Sequence, residues 1–136
     1  MIEPKQIALQ FLQAFWDGKP EDGLALCAPD ARWTFQKSLR EPRFADIANA
    51  IDFLMTKLVG EFDPDSGYEV DVHHVVGDGD EVAVEYSARG ETRRGDLYEN
   101  DYVVRFTLRD GKIVSVRPYF DTHYVHRVLA RLDDGG

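Results

Sequence analysis

The stretch LYENDYVVRFTLRDGKIVSVRPYF, residues 97–120, decides the fold. Its first half alternates, so Tyr98, Asn100, Tyr102, Val104 and Phe106 fall on one face of an extended chain. Arg109-Asp110-Gly111-Lys112 reads as a hairpin turn. The chain then returns through Ile113–Phe120, with Val114, Val116, Pro118 and Phe120 on a common face. Two long strands joined by so short a turn pair antiparallel. Upstream, Tyr68–Val76 and Glu81–Arg89 are two further strands, separated by the turn Gly77-Asp78-Gly79-Asp80. Gly90–Asp96 is a polar loop, and Thr122–Arg131 reads as a short closing helix before a frayed tail over 133–136.

The N-terminal half has a different period. Residues 4–18 place Ile7, Ala8, Phe11, Leu12, Phe15 and Trp16 at helical spacing, with Pro4 in the first turn and Gly18 at the stop. Residues 20–27 read as a second, short helix, Ala31–Gln36 as a short strand, and 45–59 as a third helix striped by Ile47, Ile51, Leu54, Met55 and Leu58. Helices followed by consecutive antiparallel strands predict an α+β fold in one domain spanning 1–136.

The chain has 136 residues, 43% hydrophobic and 30% charged, which is globular composition. A formal charge of −9 repels phosphate backbones, so nucleic acid is not an expected partner. No stretch reaches the roughly 20 apolar residues of a membrane span. The N-terminus lacks the layout of a signal peptide, so the expected compartment is the cytoplasm, with no membrane partner. Cys27 stands alone in an apolar run and reads as a core residue. Histidines at 73, 74, 123 and 126 match no zinc spacing, and there is no Gly-rich phosphate loop, so neither metal nor cofactor is expected.

The order Tyr98-Glu99-Asn100-Asp101-Tyr102, Phe106, Asp110-Gly111-Lys112-Ile113 and Tyr119-Phe120-Asp121 resembles the nuclear transport factor 2-like (cystatin-like) superfamily, in its SnoaL-like, ketosteroid-isomerase-related branch. Phe11–Trp16, Asp22–Ala28 and Ala31-Arg32-Trp33 fit the same resemblance, which covers nearly the whole chain. It implies a cone-shaped, strongly curved, mostly antiparallel sheet wrapped on three N-terminal helices, with a short C-terminal helix. It also implies a cavity between sheet and helices, and a homodimer through the outer sheet face.

Each chemistry of the resembling families needs particular groups. The ketosteroid isomerase tyrosine position falls at Phe11 and its base position near Phe35. The arginine and aspartate of limonene-type epoxide hydrolases fall at Glu85 and Ser87, and their last-strand aspartate falls at Pro118. The glutamate of the phenazine-type proteins also falls at Pro118. None of these mechanisms is expected to run here as in its relatives, since the proton-moving side chains are missing.

The remaining candidates are polar residues on strands. His74 shares a face with Val70, Val72 and Val76 and is expected inward, where a neutral imidazole could exchange protons; His73 is expected outward. Glu85 reads two ways. Alternation sets Val82, Val84 and Tyr86 on the apolar face and Glu85 on the other, whereas the resemblance turns Glu85 and Ser87 to the cavity and leaves the valines for a dimer face. A carboxylate in an apolar cavity would have a raised pKa. Trp33, Phe35, Tyr98, Tyr102 and Phe120 are the expected aromatic lining, with Asn100 adding an amide. Asp121 with Thr122 reads first as a helix start.

The expected function is an apolar cavity for a small, oxygenated, hydrophobic or aromatic compound, with acid–base isomerase, cyclase, dehydratase or hydrolase chemistry carried by Glu85 and His74. The alternative is a non-catalytic binding module or dimeric scaffold.

Overall fold

The computed structural model describes residues 3–65 and 67–128. Helix α1, Pro4–Trp16, starts on a reciprocal capping box between Glu3 and Gln6 and buries Ile7, Ala8, Phe11 and Leu12. Helix α2 is Pro20–Leu24, shorter than its sequence pattern. The backbone N–H of Ile113 donates to the Leu26 carbonyl at 3.0 Å, which draws the chain out of the helix and into the sheet. Strand β1 therefore begins at Cys27 and runs to Thr34. A short strand β2, Phe44–Asp46, was not visible in the sequence; it pairs with Arg32–Thr34. Helix α3, Ile47–Lys57, buries Ile47, Ala50, Ile51 and Leu54.

The second half holds β3 (Glu69–Asp78), β4 (Glu81–Glu91), β5 (Leu97–Arg109) and β6 (Lys112–Phe120), then helix α4 (Thr122–Val128). The expected continuation of α4 to Arg131 and the tail at 133–136 lie outside the described residues. Asp121 Oδ1 accepts from the Tyr124 backbone N–H at 3.0 Å, so this aspartate caps α4. At the β5–β6 turn Asp110 and Gly111 both have positive φ, 54° and 77°, as a tight hairpin with the strands' own twist requires.

The sheet is six-stranded and open, in the order β2-β1-β6-β5-β4-β3. Every neighbouring pair is antiparallel except β1–β6, which is parallel. Helix α1 touches β3, β4 and β6, and α3 touches β1 and β2, so one face of the sheet carries the helices. Between them lies a single hydrophobic cluster that includes Phe11, Trp33, Val84, Phe106 and Val116. None of the described helices is long and apolar enough to cross a membrane.

Two face assignments need correction. Val82, Val84 and Tyr86 are buried on the helix side, where Trp16 meets Tyr86 with ring centroids 4.9 Å apart, so this row is not an interface with a second subunit. Local alternation was the sounder guide on β4. On β3, Val72 pairs with Tyr86 but His74 pairs with Glu85, leaving His73 as an extra residue. This bulge exchanges the faces of the strand. Before it, Val70 and Val72 lie opposite the inward Ala88 and Tyr86; after it, Val75 and Gly77 lie opposite the inward Val84 and Val82. His74 and Val76 are thereby turned outward, and Val76 is 60% exposed.

Candidate functional site: a phenol-lined cavity

A cavity of about 90 Å³ lies between α1, α3 and the inner sheet face. That holds several waters and is smaller than the roughly 150 Å³ of an apolar cavity that takes benzene, so a ring compound would have to spread the lining. Helix α1 contributes Phe11, Leu12, Phe15 and Trp16 through its apolar stripe, and β1 contributes Trp33. Strands β4 to β6 contribute Tyr86, Tyr98, Tyr102, Val104, Pro118 and Phe120 at alternating positions. Phe62 and Tyr68 close one side, their rings 5.6 Å apart, and Phe62 packs on Tyr98 at 5.2 Å.

The polar groups of this lining are few and uncharged: phenol hydroxyls, indole N–H groups and the Gln36 amide. Asn100 Nδ2 donates to Tyr98 Oη at 3.0 Å and to the Asp121 carbonyl at 3.2 Å, while its Oδ1 accepts from the Asp101 N–H at 2.9 Å. The two backbone partners fix the orientation of the amide, because an N–H can only donate and a carbonyl can only accept. The Tyr98 and Tyr102 hydroxyls hydrogen-bond to each other. The pair holds two protons and shares one of them, so one O–H is left without a described acceptor. Tyr102 also stacks on Tyr86, with centroids 4.9 Å apart and planes 10° from parallel. Burial pushes the pKa of Tyr68, Tyr86, Tyr98 and Tyr102 above the usual phenol value, so all four are neutral at physiological pH.

Two further donors belong to β1 and its exit. Trp33 is 5% exposed, and its indole N–H is buried with no hydrogen-bond partner. Gln36 also lines the cavity. No Asp, Glu, His, Lys, Arg or Cys is among the described residues lining it. Among the described residues, no group of His, Cys, Asp and Glu is placed to hold a metal ion.

The sequence profile of the SnoaL-like domain matches residues 8–116. The chain belongs to the SnoaL-like family. No curated protein matches it in sequence. Its fold is that of a nuclear transport factor 2-like protein from Burkholderia thailandensis, with a TM-score of 0.79 and 24% identity, over 95% of this chain and 98% of that one. A putative SnoaL-like polyketide cyclase from a Jannaschia species gives 0.76 and 23%, over 93% and 91%. TerC, co-crystallised with polyporic acid, gives 0.77 and 22%, over 94% and 99%.

The residues singled out from the sequence of this SnoaL-like protein divide into three groups. Trp33, Phe35, Tyr98, Tyr102 and Phe120 line the cavity. Asn100 stands one step behind it and holds Tyr98. Glu85 and His74 lie outside it, on the opposite face of the sheet, with side chains 49% and 75% exposed. Their expected place in the cavity is thus corrected, by alternation for Glu85 and by the β3 bulge for His74. Ser87 is outside as well, with its hydroxyl donating to Asp101 at 2.6 Å and lying 2.7 Å from His73 Nε2. Arg89 pairs with Glu99 at 3.7 Å on that same outer face. Cys27 is part-buried near Gly23, and burial pushes its thiol up to about 11, the form of an unreactive cysteine.

Sequence reasoning missed Gln36, Tyr68 and Tyr86 as lining residues. Tyr86 was available from the alternation of β4. Gln36 was not, because strand period lapses where β1 ends at Thr34 and the chain turns, with Leu39 N–H donating to the Gln36 carbonyl at 2.9 Å.

Proposed function

We propose that this SnoaL-like protein binds a neutral, hydrophobic ring compound in the cavity and grips a carbonyl or hydroxyl oxygen of it by hydrogen bonding. The observation that carries this reading is the uncommitted phenolic proton of the Tyr98–Tyr102 pair, held from behind by Asn100 in an apolar pocket. Such a donor is strong in a dry site and needs no charge to be brought in. No described residue of the lining has a side chain able to take a proton near neutral pH. This favours binding and polarisation of a ligand over acid–base turnover. An enolate oxygen would be held by the same phenol, but its proton would have to leave to solvent or to another part of the ligand.

The test is the affinity of three probes, naphthalene, acetonaphthone and naphthoate, followed by quenching of tryptophan fluorescence. The ketone is expected to bind tightest and the carboxylate weakest. Replacing both hydroxyls, Tyr98→Phe with Tyr102→Phe, should erase the ketone's advantage over naphthalene, about tenfold for one buried hydrogen bond. Equal binding of ketone and hydrocarbon, or tightest binding of the carboxylate, would contradict the reading.

We also propose a homodimer through the outer sheet face. Val76, Val103 and Tyr119 are exposed there, at 60%, 37% and 41%. Arg105 and Arg117 lie across from each other in one row of that face and Asp101 lies opposite Ser87 in another, so a two-fold arrangement can set unlike charges together. Light scattering on Val103→Glu tests it: conversion of a wild-type dimer to monomer supports the interface, and a wild-type monomer at micromolar concentration removes it.

A further inference from the structure

Arg40, on the connection between β1 and β2, is a half-buried cation. No hydrogen bond or ion pair reaches its guanidinium from the described residues. The guanidinium carbon lies 4.7 Å from the centroid of the Phe35 ring and 4.6 Å from that of Phe53. Those rings meet edge to face with centroids 5.4 Å apart, so the cation is seated in their corner. Nη1 is buried there without a partner. Nε and Nη2 are not closed off in this way, which leaves that edge of the fork open. The neighbouring Arg43 differs, since its Nε donates to the Phe35 carbonyl at 3.3 Å.

Arg40 lines a groove between β2 and the outer side of α3. Arg32 and Lys57 line it too, with the carboxylates of Asp46 and Asp52. No two of these five form an ion pair. Asp46 stands opposite Arg32 in the β1–β2 ladder, so no carboxylate is set against Arg40. The groove thus carries three cations against two carboxylates, in a chain whose formal charge is −9. Phe44, 56% exposed, adds an apolar side. Phe35 lines the cavity and Phe53 lines the groove, so their contact is the partition between the two.

We propose that this groove is a second ligand site, separate from the cavity, and that it takes a small monocarboxylate with an apolar body. The two carboxylate oxygens accept from Nε and Nη2 of Arg40, a bidentate fit to the planar fork. The rings of Phe35 and Phe53 fix the guanidinium beforehand, and the apolar body lies against Phe44. A surplus of one positive charge suits a singly charged anion better than a phosphate dianion. The inference is independent of what the cavity binds.

The test titrates isotope-labelled protein with benzoate, benzamide and phenyl phosphate, and follows the Arg40 Nε–H resonance by NMR. Benzoate is expected to move that resonance to saturation. Benzamide, with the same ring and no charge, should bind about tenfold more weakly, and phenyl phosphate no tighter than benzoate. Arg40→Lys keeps the charge and loses the fork, so benzoate affinity by calorimetry should fall about tenfold. Tyr98→Phe with Tyr102→Phe should leave the benzoate response of Arg40 intact. Millimolar benzoate that leaves the Arg40 resonance unmoved would overturn the inference, even if it quenches tryptophan fluorescence, since it would then occupy the cavity. Equal binding of benzamide, tighter binding of phenyl phosphate, or full benzoate affinity in Arg40→Lys would overturn it as well. The resonance is read in wild-type protein, so the outcome stands even if Arg40→Lys fails to fold.

Discussion

His74 Nε2 and Glu85 Oε1 stand 4.0 Å apart across the β3–β4 ladder, on the side of the sheet away from the cavity. Their pairing is a surface contact between groups 75% and 49% exposed. Pairs of this kind are worth about 0–1 kcal/mol after solvent screening. Glu85→Gln and His74→Ala should therefore leave acetonaphthone affinity within about twofold of wild type and thermal stability nearly unchanged. A loss of binding in either variant, with the fold intact by circular dichroism, would return these residues to the site.

Trp33→Ala should act on both stability and binding. The indole is 5% exposed and packs near Phe11 and Phe35, with ring centroids 6.4 and 6.1 Å away. Truncating so large a buried side chain costs about 3–5 kcal/mol, because the surroundings close only part of the hole. Trp33→Phe keeps most of the volume and removes the N–H, so it should lower ketone binding with a smaller loss of stability. Denaturant unfolding that shows Trp33→Ala to be neutral would mean the indole is not part of the core.

Alkaline pH should unfold the protein through its buried phenols. Burial raises the pKa of Tyr68, Tyr86, Tyr98 and Tyr102 in the folded chain, while in the unfolded chain each titrates near about 10. Above that pH the unfolded state has released protons that the folded state still holds. The stabilising contribution is therefore complete below about pH 10 and declines as the pH rises towards the folded values. Phenolate absorbance should show Tyr86, Tyr98 and Tyr102, three of the six tyrosines, silent until the circular dichroism signal is lost, whereas Tyr68 is 41% exposed and open to hydroxide. Reversible ionisation of all six in a folded chain would contradict this.

How far the sequence led depends on how locally each feature is encoded. The faces of β5 and most of β6 were legible because Tyr98, Tyr102 and Phe106, and then Val116 and Pro118, alternate; beside the turn a bulge leaves Val114 unpaired and buries Ile113 in place of the expected Val114. Glu85 was misplaced by letting a family correspondence outrank the alternation of Val82, Val84 and Tyr86, which needed no outside help. His74 could not be placed by alternation at all, since one unpaired residue, His73, inverts everything after it and leaves no mark in composition. Strand β2 is three residues long and exists only because β1 offers an edge to pair with. The Asn100–Tyr98–Tyr102 chain became visible only with coordinates, although all three residues were already on the expected face.

Gly90→Ala should destabilise the protein through the rings that close the cavity. Gly90 pairs with Tyr98 across the β4–β5 ladder. A Cβ added there would stand 3.0 Å from Tyr68 Cδ2 and 3.3 Å from Phe62 Cδ1. Both are ring atoms in a packed aromatic group rather than the ends of flexible chains, since Phe62 also packs on Tyr98 at 5.2 Å. Two effects oppose each other. Alanine restricts the unfolded chain, which favours folding by about 0.4–1 kcal/mol, while overpacking typically costs about 1–3 kcal/mol. The steric effect is the larger, so a net loss of roughly 1–2 kcal/mol is expected. Tyr68→Ala in the Gly90→Ala background removes the nearest ring and should recover part of that loss, a coupling that a double-mutant cycle reads directly. If Gly90→Ala unfolds at the same or a higher denaturant midpoint, or if the two substitutions are additive, Tyr68 and Phe62 do not seat on this glycine.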